Sequence, residues 1–261
     1  MESIKIGLQL HSVREAFGEN PTEALKKVKE IGYAGVEFVL APGAEPSLEQ
    51  AVGYKNALAE TGLECYGVLV SWGHVQPDKL SGLIAYNKAL GNHFLIIGDV
   101  AVDYIDTMEK VQGVVAYMKE IQRVLRGHDM TVGFHNHAFD FMHVVEGKTF
   151  FDHVLENTDK DFGMVLDTGN AMDGGYDSIE LLQKYPGRSR VLHIKGYSKE
   201  KKYLAYIGQD DLDWDAVIRC AIETGGSRIL NVEFGQRGDY EPFERATVSF
   251  DVVNRILKEI K

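Results

Sequence analysis

Phe162-Gly163-Met164-Val165-Leu166-Asp167-Thr168-Gly169-Asn170 opens on a nearly unbroken apolar run and stops on a carboxylate. A run without polar alternation is what a parallel strand buried on both faces requires. Helix-like segments flank it, at residues 149–156 and 178–185. Outward from this centre the same alternation reaches both ends of the chain. Strand-like runs fall at residues 4–10, 33–39, 63–70, 93–97, 130–135, 162–167, 190–195 and 228–234. Between and after them lie helix-like segments at 20–31, 47–60, 77–90, 103–126, 149–156, 178–185, 213–224 and 242–260. Asn20-Pro21-Thr22-Glu23 opens the first with a polar cap and an early proline, and Gly32, Gly62, Gly91 and Gly127 stand where helices stop. Eight strand–helix units predict a single (β/α)₈ barrel over residues 1–261, an α/β fold. An open doubly wound sheet is the alternative, but no GxGxxG loop follows the first strand.

Length and composition agree with this reading. The 261 residues suit one barrel, and 44% hydrophobic with 26% charged residues is ordinary for a globular chain. A formal charge of −11 weighs against a phosphate backbone as partner, so a metal-dependent nuclease is disfavoured and no nucleic acid is expected. No apolar stretch is long enough to span a membrane, and Met1-Glu2-Ser3-Ile4-Lys5-Ile6 has no signal-peptide core. Cys65 and Cys220 stand far apart without a CxxC pair, which fits a reducing, cytoplasmic setting.

Four consecutive strands end on residues that bind metals: the fifth on His135, the sixth on Asp167, the seventh on His193, the eighth on Glu233. Their separations are 32 (167 − 135), 26 (193 − 167) and 40 (233 − 193), each the length of one strand–helix unit. In a barrel these ends meet at one mouth, where the active sites of this fold are built. Any one of them alone is readily a hydrogen-bonded strand cap; four in one register point to a shared divalent ion. Two imidazoles with two carboxylates favour a transition metal: Mn²⁺ first, with Zn²⁺, Co²⁺ or Mg²⁺ as alternatives.

Beyond these ends, the chain resembles the xylose-isomerase-like sugar isomerase/epimerase family over essentially its whole length. The resemblance rests on residues 7–14 (GLQLHSVR), 32–37 (GYAGVE), His135-Asn136-His137, Leu166-Asp167-Thr168-Gly169-Asn170, Tyr185-Pro186-Gly187-Arg188 followed by Leu192-His193-Ile194-Lys195, and Val232-Glu233. It implies the same four metal ligands by position, and a small-molecule sugar or polyol as partner. Two departures stand out. His135 occupies a position where the family most often has glutamate, which removes a negative charge and a carboxylate base. Asn170 stands where many relatives carry histidine, and an amide does not shuttle protons at neutral pH. A symmetrical two-base epimerisation is therefore less secure here.

Other groups must then move the proton. Glu37, His137 and Lys195 are the catalytic candidates. Lys195 lies two residues beyond His193 and so on the same side of its strand; a structural salt bridge is its alternative. His137, two residues past His135, is the candidate base and an alternative ligand. His11, Trp72 and Asn170 are the candidate substrate contacts, with Trp72 as a flat platform for a sugar ring or an ordinary packing residue. Arg14 and Arg237 are isolated candidates for a phosphate. The reading is a metal-dependent sugar or keto-sugar isomerase or epimerase that transfers a proton beside a carbonyl. A lyase of the same family, dehydrating a keto-sugar or keto-polyol, is the alternative, and a non-catalytic sugar-binding barrel comes third. Homo-oligomerisation is compatible with all three.

Overall fold

Eight parallel strands close into a ring in the computed structural model, which describes residues 3–235 and 241–260. They are β1 (Lys5–Gln9), β2 (Gly35–Leu40), β3 (Glu64–Val70), β4 (Phe94–Ile97), β5 (Thr131–His135), β6 (Gly163–Asp167), β7 (Val191–Ile194) and β8 (Ile229–Val232). Each strand pairs with the next in chain order, and β8 closes the ring on β1. The expected α/β barrel is thus the observed fold, with strand ends within two residues of those read from the apolar runs.

Helices cover the outside because their starts and stops are written locally. The Asn20 side chain accepts from the Glu23 N–H ahead of Pro21–Ile31, and Ser47 does the same for Gln50 ahead of Leu48–Thr61. Gly62 and Gly91 end their helices at φ 66° and 84°, a left-handed conformation that a side chain resists. The core lies mainly between barrel and helices, where residues such as Leu8, Leu25, Val68, Phe134, Leu166 and Ile218 are fully buried. A second, small cluster of Ile96, Val165 and Val191 fills the barrel interior.

Several short elements were not anticipated: the 3₁₀ turn Leu10–Val13, the helices Arg14–Glu19, Ala138–Met142 and Thr168–Asp173, and a ribbon of Val144–Val145 with Lys148–Thr149. The helix expected from residue 103 begins at Met108 instead. Thr107 caps it through the Lys110 N–H, and Asp103 belongs to a separate 3₁₀ turn, Val102–Tyr104. Among the described residues no helix is long and apolar enough to cross a membrane.

Candidate metal centre and active site

Strand register builds the site. Gly7 of β1, Asn231 of β8, His193 of β7 and Asp167 of β6 are successive partners across the sheet, so they share one level. Side chains two residues further along a strand share its face, which stacks Gln9, Glu233 and Lys195 above that level. Gly7 makes room for this polar tier: a Cβ there would come within 2.6 Å of the Asn231 Oδ1 and 2.7 Å of the Tyr66 ring.

His135, Asp167, His193 and Glu233 each offer a ligand atom, and these atoms lie within 4.8 Å of one another, all on buried side chains. The His135 Nε2 stands 3.4 Å from the Asp167 Oδ2 and 3.5 Å from the Glu233 Oε2, too long for strong hydrogen bonds. Both ring nitrogens of His135 and the Asp167 Oδ2 are buried without a hydrogen-bond partner. Leaving such a group unsatisfied costs about 1–3 kcal/mol, so the His135 Nε2 and the Asp167 Oδ2, facing each other in the cluster, call for a common partner. Two donors bound to one ion at about 2.0–2.2 Å stand roughly 3–3.5 Å apart, the spacing found here. The donor set and its unsatisfied atoms fit a divalent metal.

Beneath this cluster a hydrogen-bond network orients His193 and Glu233. The His193 Nε2 faces the Glu37 Oε2 at 2.9 Å, which leaves Nδ1 toward the cluster, 2.8 Å from the Glu233 Oε2. Glu37 is fully buried and also accepts from the Gln9 and Asn231 amides, both at 3.0 Å. Gln9 bridges to the Glu233 Oε2, again at 3.0 Å. Burial alone would strip the proton from His193, but the Glu37 and Glu233 carboxylates outweigh it and push its pKa up to about 10. Glu37 therefore lies beneath the four-residue cluster, bonded to His193. Sequence reading passed over Gln9 and Asn231. Their signal was a polar residue inside an otherwise apolar strand, Asn231 two residues before Glu233 on the same face.

Lys195 sits at the edge of the cluster, its ammonium 2.8 Å from the Glu233 Oε1 and 3.3 Å from the Asp167 Oδ2. Burial disfavours its charge, but those two carboxylates prevail and hold its pKa above the ordinary lysine value. The same ammonium lies 5.3 Å from the Tyr203 ring centroid. Tyr203 and Tyr197 both donate their hydroxyls to Asp173, and the buried Arg245 guanidinium holds the Tyr203 and Ala205 carbonyls. This pinned aromatic wall was also missed, because nothing local ties residues 197–203 to residue 173.

His137 is half-buried beside the cluster, its ring edge-on to His135 at 5.0 Å between centroids and stacked on Phe139. Its Nδ1 has no partner. Burial first, then the positive charge of His135 and Lys195, pull its pKa down to about 4. Next to it the Asp140 carboxyl accepts the His137 backbone N–H at 2.6 Å, and burial pushes that carboxyl up to about 8.

The remaining expected contacts divide. His11 is half-buried at the end of β1, within the field of Glu233 and Lys195. Asn170 is tied into the fold: its amide donates to the Asn136 carbonyl at 2.9 Å, and its backbone N–H to the Asp167 Oδ1 at 2.7 Å. Asn136 itself zips β5 to β6 through both its amide groups and the Asp167 backbone. Trp72 is buried edge-on against Tyr117 of the helix Met108–Arg126, so its indole packs the outer layer. His74 and His143 likewise tie loops together, bonding the Ala44 and Ile105 carbonyls. Arg14 holds the His11 and Gly235 carbonyls, and Arg237 lies outside the described residues.

Known proteins place this geometry in context. A stretch of 92 residues is 36% identical to the inosose dehydratase of Geobacillus kaustophilus, spanning 34% of this chain and 28% of that protein. A solved sugar phosphate isomerase/epimerase of Parabacteroides distasonis superposes with a TM-score of 0.82 at 18% identity, covering 98% of this chain and 96% of its own. An L-ribulose 3-epimerase superposes at 0.75 with 13% identity, covering 98% and 95%. At such identities the likeness is one of fold. The model of the xylose isomerase-like TIM barrel matches residues 25–251, and with that match over most of its length the chain belongs to the xylose isomerase-like TIM barrel family.

Proposed function

We propose that the chain is a divalent-metal-dependent isomerase or epimerase of a sugar or keto-sugar, moving a proton at the carbon beside a carbonyl. One observation carries this reading: four ligand-type side chains, two of them with unsatisfied buried atoms, converge at the barrel mouth, beside a lysine. His135, Asp167, His193 and Glu233 would hold the ion, with Mn²⁺ favoured by the mixed nitrogen and oxygen donors and Zn²⁺, Co²⁺ or Mg²⁺ as alternatives. Bound there, the ion supplies Lewis-acid polarisation of the substrate's carbonyl and neighbouring hydroxyl.

The chain's own groups move the proton. His137 stays a neutral imidazole at physiological pH because burial and nearby positive charge hold it so. It is the base that takes the proton from carbon. Lys195 stays an ammonium and hydrogen-bonds the oxygen that gains negative charge. His11 and Tyr203 line the mouth as substrate contacts. Glu37 and Gln9 hold His193 and Glu233 in place.

The lyase is a second reading, and a specific observation supports it. Elimination needs one base and one acid, and Asn170, at a position where many relatives carry histidine, donates its amide to the Asn136 carbonyl. The local similarity to an inosose dehydratase agrees. Both readings are tested by incubating Mn²⁺-loaded protein with a panel of keto-sugars and keto-inositols in D₂O. Proton NMR showing deuterium at the carbon beside the carbonyl without elimination supports the isomerase; an enone absorbance supports the lyase. Absence of both across the panel, together with no saturable Mn²⁺ binding, would overturn the proposal.

A further inference from the structure

A cavity of ligand size lies at the opposite end of the barrel from the four-residue cluster. It encloses about 790 Å³ among the strand starts, well within the range of small-molecule pockets. In this fold that end ordinarily serves stability alone, so an open space there needs an explanation.

Its chemistry is one-sided. Four strands adjacent in the ring each begin with a cation on the cavity wall: Lys160 before β6, Arg190 before β7, Arg228 before β8 and Lys5 at the start of β1. Backbone bonds join the last three directly, from the Arg228 N–H to the Arg190 carbonyl and from the Lys5 N–H to the Arg228 carbonyl, both at 2.9 Å. They stand about one strand spacing apart, roughly 4.8 Å. Lys5 is ion-paired to Glu64. Among the described residues, the side chains of Arg190 and Lys160 have no hydrogen bond or ion pair, and the Arg228 guanidinium bonds only the Ser227 carbonyl.

Arg188 adds a fifth positive charge to the same wall. It is half-buried and bonded to the carbonyls of Leu155, Asp159 and Phe162 and to the Thr158 hydroxyl, with no carboxylate in contact. Of the acids on the wall, Glu64 and Asp161 are already paired, the latter with Arg126, which leaves Asp129. A buried, unpartnered hydroxyl, that of Tyr66, completes the lining. In a chain with a formal charge of −11, this concentration of uncompensated cations around a ligand-sized cavity runs against the overall field.

We propose that the cavity binds a small polyanion, a metabolite carrying a diphosphate or several carboxylates, at a site separate from the metal centre. Guanidinium groups recognise both chemistries by paired N–H donation. The site does not depend on the reaction proposed above.

Pyrophosphate and citrate serve as probes, titrated calorimetrically at constant ionic strength into the full-length chain. Metal is removed beforehand, so that neither probe is lost to chelation. Saturable binding of pyrophosphate alone identifies a phosphate ligand, of citrate alone a polycarboxylate, and of both a site read by charge. Arg190→Gln and Arg228→Gln should each weaken that binding by about tenfold, whereas Asp167→Asn at the mouth should leave it unchanged. Because the Arg190 side chain has no partner to lose, Arg190→Gln tests the site without threatening the fold. The proposal fails if neither probe binds below about 10 mM, if binding survives both arginine substitutions together, or if Asp167→Asn abolishes it.

Discussion

Replacing Glu37 by glutamine separates positioning from catalysis at this site. Glu37 is fully buried and accepts three hydrogen bonds, from Gln9, Asn231 and His193. Alanine would orphan all three donors at about 1–3 kcal/mol each, enough to confuse folding with function. Glutamine keeps the volume and one acceptor but removes the charge that sets the His193 tautomer. With an amide opposite Nε2, the ring is no longer held with Nδ1 free for the ion. Loss of such an outer partner typically weakens metal affinity by about 10–100-fold, or 1.4–2.7 kcal/mol. Isothermal titration of Mn²⁺ into metal-stripped protein measures this directly, and urea unfolding of the same samples checks that the fold persists. At saturating Mn²⁺ the variant should recover most of its kcat/KM. The reasoning is refuted if Mn²⁺ affinity stays within about twofold while turnover at saturating metal disappears, since Glu37 would then act on substrate.

Three further outcomes follow from the site. His137→Gln should lower kcat by about 10²–10⁴-fold, the usual worth of a general base, with Mn²⁺ affinity unchanged by titration. Because the base must be deprotonated and its pKa is held at about 4, kcat/KM of the native enzyme should fall only as pH drops toward 4, and a limb near 6.5 in the pH–rate profile would contradict the assignment. Asp140 has its folded pKa raised to about 8. Its contribution to stability is therefore fully present below pH 3.8 and is lost as pH rises through 8; Asp140→Asn should gain stability over the native protein at pH 8 and gain little at pH 4 in urea titrations. Finally, Mn²⁺ at one hundred times its Kd should stabilise the fold by about 2.7 kcal/mol, a gain that chelation reverses and that His193→Ala lacks.

Much of this site was legible in the chain, for a definite reason. Parallel strands buried on both faces are apolar by necessity, so a His, Asp or Glu at the end of such a run is conspicuous, and a barrel gathers those ends at one place. His135, Asp167, His193 and Glu233 are found together on that logic alone. Partnerships set by cross-strand geometry were not legible. Glu37 and His193 are 156 residues apart, and only the finished register brings them to 2.9 Å. Trp72 follows its strand as a mouth residue should, but a 3₁₀ turn, Trp72–Val75, sends its ring against Tyr117. Short helices such as Thr168–Asp173 complete fewer than two turns, too little for an apolar period to register. Asp167 caps that helix with one oxygen and turns the other toward His135 and Lys195; a carboxylate read as a ligand is also a cap.

The histidine at position 135 becomes intelligible through the charges around it. Glu37, Asp167 and Glu233 count as three carboxylates in a buried cluster, and Lys195 is one ammonium against them. Without metal, protons on His193, whose pKa stands at about 10, and on His135, where burial opposes the charge but Asp167 and Glu233 raise the pKa, offset the other two charges. A divalent ion held there would displace those protons, since a ligating imidazole must be neutral. Two positive charges from the ion and one from Lys195 would then balance the three carboxylates. A glutamate in place of His135 would leave the cluster one negative charge in excess, at a depth where uncompensated charge is expensive. Neutral imidazole at that position therefore belongs with the charged Lys195 and the buried Glu37 as one electrostatic set. His135→Glu alone should disturb that balance, raising the pKa of a neighbouring carboxyl or tightening Mn²⁺ binding, whereas His135→Glu combined with Glu37→Gln should restore it.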